Sequence, residues 1–381
     1  MKIPFNKPTL TAKEAETLME ALRSGHYSGN GPATKRCQKL IEDSFGVTKA
    51  LLTTSCTDAL EMTAILIGIE PGDKVVLPSY TFSSTANAFC LRGALPVFVD
   101  IRKDTLNIDE TKIEASVTPG VKAIVPVHYG GVSAEMDVIN DIASRHGCVV
   151  VEDAAQGVNA TYKGRYLGSL SPLATYSFHE TKNYQCGEGG ALLINDASYI
   201  EHAEMVWEKG TDRSKVLIGA RQKYMWTTLG SSFLLSDILA ALLYQQLSVK
   251  DTIQLKRKRV YDRYREGLSR FVELGDMQMP LVPEHCSINY HSFCILLNDE
   301  KTRDRFLAEM KQRQVAAYIG YVPLHLSEMG RRYGYGSGTL PVTEDVAARI
   351  VRLPFYTDMD EAEQSYAIEA IHEVMSIGSL A

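Results

Sequence analysis

The chain predicts an α/β fold: a mainly parallel sheet sandwiched by helices, followed by a smaller C-terminal α+β domain. Three observations lead there. Between about residues 49 and 210, short β-rich runs alternate with segments of helical spacing, the order that a parallel sheet with crossover helices requires. Several of those runs are continuously apolar rather than alternating, as strands covered on both faces are. After Leu247 the alternation stops, and 381 residues are long for one core, so a second unit is expected. The boundary falls at 249/250, giving a large domain over residues 1–249 and a small one over 250–381.

In chain order, strands are expected at 49–53, 74–77, 96–99, 123–127, 149–152, 174–178 and 191–194. Helical spacing runs through 57–67, 84–92, 134–146 and 198–209 between them. Pro71-Gly72-Asp73 punctuates as a turn, and 161–166 reads as a tight hairpin. Beyond 250 the expectations are a charged amphipathic helix over 254–268, a strand over 292–297, and helices over 301–314 and 360–375.

The bulk composition, 45% hydrophobic and 23% charged, is that of an ordinary globular protein. A net charge of −6 argues against a nucleic acid or a membrane surface as partner. The seven cysteines are scattered, with no C-x-x-C pair, so neither a zinc site nor a thioredoxin-like pair is expected, and a reduced cytoplasm fits. The N-terminus lacks the apolar core of a signal peptide, and no apolar run reaches membrane-span length. A soluble cytoplasmic location is the expectation.

Lys182 is the sharpest chemical signal. An apolar strand ends in Ser177-Phe178-His179-Glu180-Thr181-Lys182, and Gly187-Glu188-Gly189-Gly190 opens the next strand. Earlier, Cys148 to Val151 ends in Glu152-Asp153-Ala154-Ala155-Gln156. A carboxylate and a lysine at neighbouring strand ends suit pyridoxal phosphate. The lysine carries the aldehyde, and Asp153 keeps the pyridine nitrogen protonated so that the ring accepts electrons. A carboxylate at an apolar strand's end is costly to bury unless paired, and a pyridinium N–H is such a pair.

The remaining parts of such a site are sought separately. Thr53-Thr54-Ser55-Cys56-Thr57 joins a strand to a helix, where backbone N–H groups and the helix dipole favour a phosphate. Ordinary capping by Ser55 or Thr57 is the blander reading of the same residues. Phe82 offers a flat face for the ring, although a phenylalanine is usually core. Ala155 is small enough for the opposite face, and Gln156 is placed for the ring's 3′-oxygen. Each signal is weak alone. Their order along the chain is what makes them a site.

These residues, with Tyr321-Val322-Pro323-Leu324-His325, resemble the DegT-type sugar aminotransferases of fold type I, and the resemblance spans nearly the whole chain. It implies Lys182 and Asp153 as catalytic residues, Gln156 on the 3′-oxygen, Phe82 stacking on the ring, and Cys56, Thr57 and Ser177 on the phosphate. It also implies a homodimer with sites at its interface, L-glutamate as donor and a nucleotide-linked keto-sugar as acceptor. Many members place an asparagine and an arginine where this chain has Ser232 and Leu234, and Ser232 is the candidate for the phosphate contact across the dimer. Arg213, Arg221 and Lys223 are expected near the sugar nucleotide's diphosphate, and Tyr321 and His325 near the sugar. The runs at 80–89, 177–184 and 230–237 resemble the subgroup that aminates C4 of dTDP-4-keto-6-deoxyglucose to a galacto product for surface polysaccharide. The alternatives are the gluco epimer, a C3 product, a dehydratase and a non-catalytic member. Related dehydratases carry histidine at the lysine position, and a non-catalytic protein does not need Asp153, Gln156 and Lys182 together.

Overall fold

The computed structural model describes residues 1–378 apart from Ile218 and Arg221. Its centre is a seven-stranded sheet in the spatial order Lys49–Thr53, Gly190–Ile194, Leu173–Ser177, Val149–Asp153, Val121–Ile124, Lys74–Pro78, Leu95–Val99. Gly190–Ile194 runs antiparallel to both its neighbours, and the remaining pairs are parallel. Near-complete burial of these strands matches their continuously apolar sequence.

Register sets the chemistry. Asp153 pairs with Thr175, and Gly190 faces Thr53 on one side and Ser177 on the other. The carboxyl ends of the parallel strands therefore gather Thr53, Asp153 and Ser177 on one edge, where open α/β sheets take their ligands. One expected strand is shorter than its sequence suggests. Val121–Ile124 stops before Val127 because Pro126 has no N–H to continue the ladder. Val127 instead makes an isolated bridge to Asp153.

Three helices, Glu14–Ser24, Pro32–Phe45 and Asp237–Ser248, lie outside the elements expected from sequence. The Asp237 carboxylate caps the second of them, accepting from Ala33 N–H (3.1 Å), Thr34 N–H (2.7 Å) and the Thr34 hydroxyl (2.8 Å). Cys37, Ile41 and Phe45 then join Ala240, Leu243 and Leu247 in the core on that side.

A second, four-stranded antiparallel sheet is ordered Met277–Gln278, Cys294–Leu297, Ile350–Arg352, Tyr318–Ile319. The chain's first residues pack with it. Ile3 bridges Val315 and is buried with Phe293 and Val351. This part is also tied to the first sheet. Asp100 accepts from the N–H and hydroxyl of Thr343, both at 2.7 Å, at the start of helix Pro341–Arg349. Cys286–Ser287 adds a strand to the 161–166 hairpin. Among the described residues, no helix is long and apolar enough to cross a membrane.

Candidate active site

A cavity of about 500 Å³ opens at the carboxyl edge of the sheet. Lys182, Asp153, Ala155, Gln156, Cys56, Thr57, Phe82, Ser177 and Tyr321 all line it. They come from separate loops over a wide span of chain, so the register of the sheet is what brings them together.

Lys182 stands on the return between Leu173–Ser177 and Gly190–Ile194. The return continues the ladder beyond the strands: Phe178 N–H donates to Gly189 O and Glu180 N–H to Gly187 O, both at 2.8 Å. Gly187 has φ 86°, a conformation that suits only glycine without strain. Lys182 N–H donates to His179 O (2.9 Å), closing the turn that presents the side chain. Burial pushes the Lys182 ammonium below the ordinary lysine value, nearby Asp153 opposes that, and Arg352 adds like-charge repulsion. The amine is thereby biased toward its neutral, nucleophilic form.

Asp153 is 4% exposed. Its carboxylate accepts from Ala155 N–H (3.1 Å) and from the Thr85 hydroxyl (2.7 Å), which is backed by Thr81 (2.8 Å). Among the described residues it has no ion-pair partner. A buried carboxylate that faces a cavity without a bonded cation leaves room for an N–H from a ligand. Gln156 accepts from Gly130 N–H (2.7 Å) and donates to the Tyr321 hydroxyl (3.1 Å), leaving one amide hydrogen uncommitted.

Beneath them, Glu152 is fully buried and saturated. It accepts from Gly168 N–H, Leu170 N–H, Ser171 N–H and the Ser171 hydroxyl, at 2.8 to 2.9 Å. Ala134 N–H donates to His128 Nδ1 (3.2 Å), so His128 Nε2 carries the proton and donates to Glu152 (3.0 Å). His128 N–H also donates to Asp153 O (3.1 Å). The pair thus fixes the backbone on both sides of Asp153.

At the other end, helix Cys56–Leu66 starts at the cavity with Ser55 as N-cap. A Cβ on Gly190 would lie 2.4 Å from the Cys56 nitrogen, so only glycine lets the strand abut the helix start. Thr57 and Ser84 hydroxyls lie 2.7 Å apart. Burial, then the charge of Asp153, pushes the Cys56 thiol up to about 12, so it is neutral at physiological pH. Phe82 is 59% exposed and contributes an uncovered ring to the cavity.

Other expected residues lie elsewhere. His325 is 0% exposed and does not line the cavity. Its ring bonds Ser79 (2.7 Å) and Glu344 (3.2 Å), so its expected place beside the sugar gives way to a structural one. Ser232, Arg213 and Lys223 are exposed and do not line this chain's cavity. Arg213 lies 3.8 Å from Glu208. Arg221 lies outside the described residues. Sequence reading missed Thr81, Thr85 and Ser84, whose Thr-x-x-x-Thr spacing was available, and Arg352, an isolated cation at the end of an apolar strand.

The chain matches the DegT/DnrJ/EryC1/StrS aminotransferase family over residues 8–372. It belongs to that family. Over 381 residues it is 32% identical to the spore coat polysaccharide biosynthesis protein SpsC of Bacillus subtilis, covering 98% of this chain and 97% of that one. The solved structure of the aminotransferase TlmJ from Streptoalloteichus hindustanus is similar at 28% identity and a TM-score of 0.91, covering 99% of this chain and 100% of that one. DesV of S. venezuelae is similar at 30% identity and a TM-score of 0.89, covering 98% of each. The fold is that of the fold type I aminotransferases. Pyridoxal 5′-phosphate is the cofactor of the DegT/DnrJ/EryC1/StrS aminotransferases, and the cavity fits it. Asp153 suits the ring nitrogen, Gln156 the 3′-oxygen, Phe82 the ring face, and the helix start with Thr57 and Ser177 the phosphate.

Proposed function

We propose that this aminotransferase aminates dTDP-4-keto-6-deoxy-D-glucose at C4 with L-glutamate, giving dTDP-4-amino-4,6-dideoxy-D-galactose. The observation that carries the reaction type is Lys182, Asp153 and Gln156 on one cavity. The bound cofactor supplies an electron sink for the carbon that loses its proton. Lys182 would hold the cofactor through its amine and, once freed by the incoming donor, would take the proton from the donor's Cα. On the keto-sugar it moves the proton back. Asp153 would keep the ring nitrogen protonated, and Gln156, bonded to Tyr321, would hold the 3′-oxygen.

The sugar is assigned on the runs at 80–89, 177–184 and 230–237, and the name of SpsC supports a polysaccharide route. The gluco epimer differs only in which face the sugar presents to Lys182. The expected result is a yellow protein whose visible band moves on adding glutamate. Its product from dTDP-4-keto-6-deoxyglucose should show a small H3–H4 coupling in NMR, the mark of an axial amine. A large coupling identifies the equatorial epimer and overturns the galacto assignment; a protein that cannot be reconstituted with the cofactor overturns transamination.

The reading includes a homodimer in the cytoplasm. Ser232 would then reach the partner's phosphate, and Arg213, Arg221 and Lys223 the sugar nucleotide's diphosphate, where cations make charge-assisted bonds. The exposure of Ser232, Arg213 and Lys223 supports this. Arg213→Ala and Lys223→Ala are expected to raise KM for the sugar nucleotide more than KM for glutamate. Equal effects on both substrates remove the assignment.

A further inference from the structure

Behind Lys182 lies a second, small cavity, lined by Lys182 itself with Ala155, Ser177, Tyr184 and His291. The cofactor fit leaves His291 without a role. Its backbone is nonetheless held against strain. Tyr290 has φ 55°, a left-handed conformation that a tyrosine adopts only where its surroundings impose it. Arg257 imposes it, donating from Nε to Tyr290 O (2.9 Å) and from Nη2 to His291 O (2.7 Å). That guanidinium is 3% exposed and has no carboxylate partner among the described residues. A buried cation is costly, so its commitment to two successive carbonyls marks the place of His291 as closely determined.

The proton on the ring follows from its neighbours. Asn183, the residue after Lys182, donates from Nδ2 to Asn289 O (2.8 Å). Its oxygen is therefore an acceptor, and His291 Nδ1, 3.0 Å away, carries the proton. Nε2 is then a bare lone pair, with no hydrogen-bond partner among the described residues. The Lys182 amine has none either. Two other side-chain oxygens on this cavity are without partners, and neither suits the amine. Asn289 Oδ1 is turned to Gly131, where an added Cβ would lie 2.1 Å from it, and the Ser177 hydroxyl belongs to the phosphate in the cofactor fit. Burial, with the charges of Lys182, Arg257 and Arg352, holds the His291 pKa well below the ordinary histidine value, so the ring keeps its lone pair.

We propose that His291 Nε2 accepts a hydrogen bond from the Lys182 amine once the incoming donor has released it. His291 is thus a positioning residue, and that role, though not the contact itself, rests on the transamination reading. The two groups do not bond in the structure; the lysine's flexible four-carbon stem supplies the movement that joins them. A neutral amine has two N–H groups and one lone pair, so holding one N–H from behind turns the lone pair toward the substrate. Ala155, suited to the ring face opposite Phe82, lines both cavities, which keeps the held amine on that face. After Lys182 takes the proton, the same nitrogen accepts from the ammonium, a stronger bond because its donor is charged. His291 does not compete for that proton, because burial and three cations hold it neutral.

The test separates the two ring nitrogens. His291→Asn keeps an N–H for the Asn183 oxygen and removes the Nε2 lone pair. His291→Gln gives up that N–H and places a carbonyl oxygen near the Nε2 position. In the full-length protein freed of cofactor, acetylation of Lys182 by acetic anhydride is followed against pH by peptide mass spectrometry. An acceptor favours the ammonium, so its loss in His291→Asn should lower the labelling midpoint by about one pH unit, while His291→Gln stays near the wild type. Asp153, Cys56 and Arg352 also act on this amine, and Arg257 on the ring; both variants retain all four. In the cofactor-loaded protein, the single-turnover rate at saturating glutamate should fall on the order of 10-fold in His291→Asn. His291→Gln should recover most of that rate, with the half-saturating glutamate concentration unchanged in both. The reverse order, with asparagine near wild type and glutamine impaired, assigns the ring to Asn183 alone and overturns the proposal. Equal midpoints in all three proteins also overturn it, and a shifted midpoint with unchanged rates overturns the positioning role. Should either variant fail to fold, the wild type and Lys182→Ala, both labelled with ¹⁵N-histidine and free of cofactor, decide the contact. The bare-nitrogen resonance of His291 should move when the lysine is removed, and an unmoved resonance overturns the proposal. A wild type whose visible band responds to no amino donor overturns the transamination reading and the role with it, while the labelling midpoints still decide the contact.

Discussion

Lys182→Ala is expected to abolish turnover while leaving the fold intact. On the proposed mechanism the substitution removes both the amine that would hold the cofactor and the base that would move the proton. Positioned proton transfer alone is commonly worth about 10²–10⁴ in rate. The effect should appear in both half-reactions, because on that mechanism the same amine would serve the donor's Cα and the sugar carbon. Stability should change little. The Lys182 backbone N–H, which closes the turn onto His179 O, is retained, and among the described residues the amine has no hydrogen-bond partner to leave behind. Burial and Arg352 lower the affinity of this amine for its proton, so Lys182→Arg, which keeps charge and length but cannot deprotonate, should be as inactive as alanine. Stopped-flow absorbance with glutamate, and product formation with both substrates, measure the loss. A purified variant with wild-type turnover would remove Lys182 from the mechanism.

What was legible in the chain divides by range. The sheet strands announce themselves because each is a short apolar run closed by turn residues, and burial on both faces keeps the run unbroken. Lys182, Asp153 and Gln156 were legible for the same reason: they end such runs, so one local pattern places them on the carboxyl edge. Thr85 and Arg352 were not. Thr85 meets Asp153 only through the packing of helix Ser83–Cys90 at the strand ends, and Arg352 reaches the cavity from another sheet. The threonine spacing and the lone cation were visible locally, but nothing local names the partner each meets so far along the chain. His325 was misread for a related reason. The resemblance of the 321–325 run put it near the sugar, but Ser79 and Glu344 engage both ring nitrogens and bury it. The helices at 14–24 and 32–45 carried usable signals, Gly25 and Gly46 in left-handed C-caps and Pro32 at a helix start. Their polar faces obscured the buried stripe.

Asp153→Asn is expected to keep the cofactor and lose most of the catalysis, and the surrounding hydrogen bonds explain the separation. In the wild type one carboxylate oxygen accepts from Ala155 N–H and the other from the Thr85 hydroxyl. Asparagine preserves the first through its carbonyl. Its amide nitrogen then faces Thr85, whose hydroxyl turns its proton to the Thr81 oxygen 2.8 Å away. Each of the two threonine oxygens therefore keeps a partner, and only the Thr81 hydroxyl proton has to turn elsewhere, so the melting temperature should move little. The polarity toward the cavity is nonetheless reversed, because an amide N–H now meets the ring nitrogen where a carboxylate had accepted its proton. Asparagine would no longer keep the ring nitrogen protonated, and the charge developing in the transition state would lose its counterpart. Removing one preorganised electrostatic group of this kind costs about 10²–10³ in kcat, so a drop of that size is expected with little change in KM for glutamate. Single-turnover rates with glutamate measure it, alongside a cofactor titration showing that occupancy is intact. Asp153→Ala provides the contrast, since it strands the Thr85 hydroxyl and the Ala155 N–H and should lose cofactor affinity and stability together. If Asp153→Asn retains the wild-type rate at full occupancy, the carboxylate is a structural cap for Thr85 and Ala155, and the ring nitrogen does not depend on it.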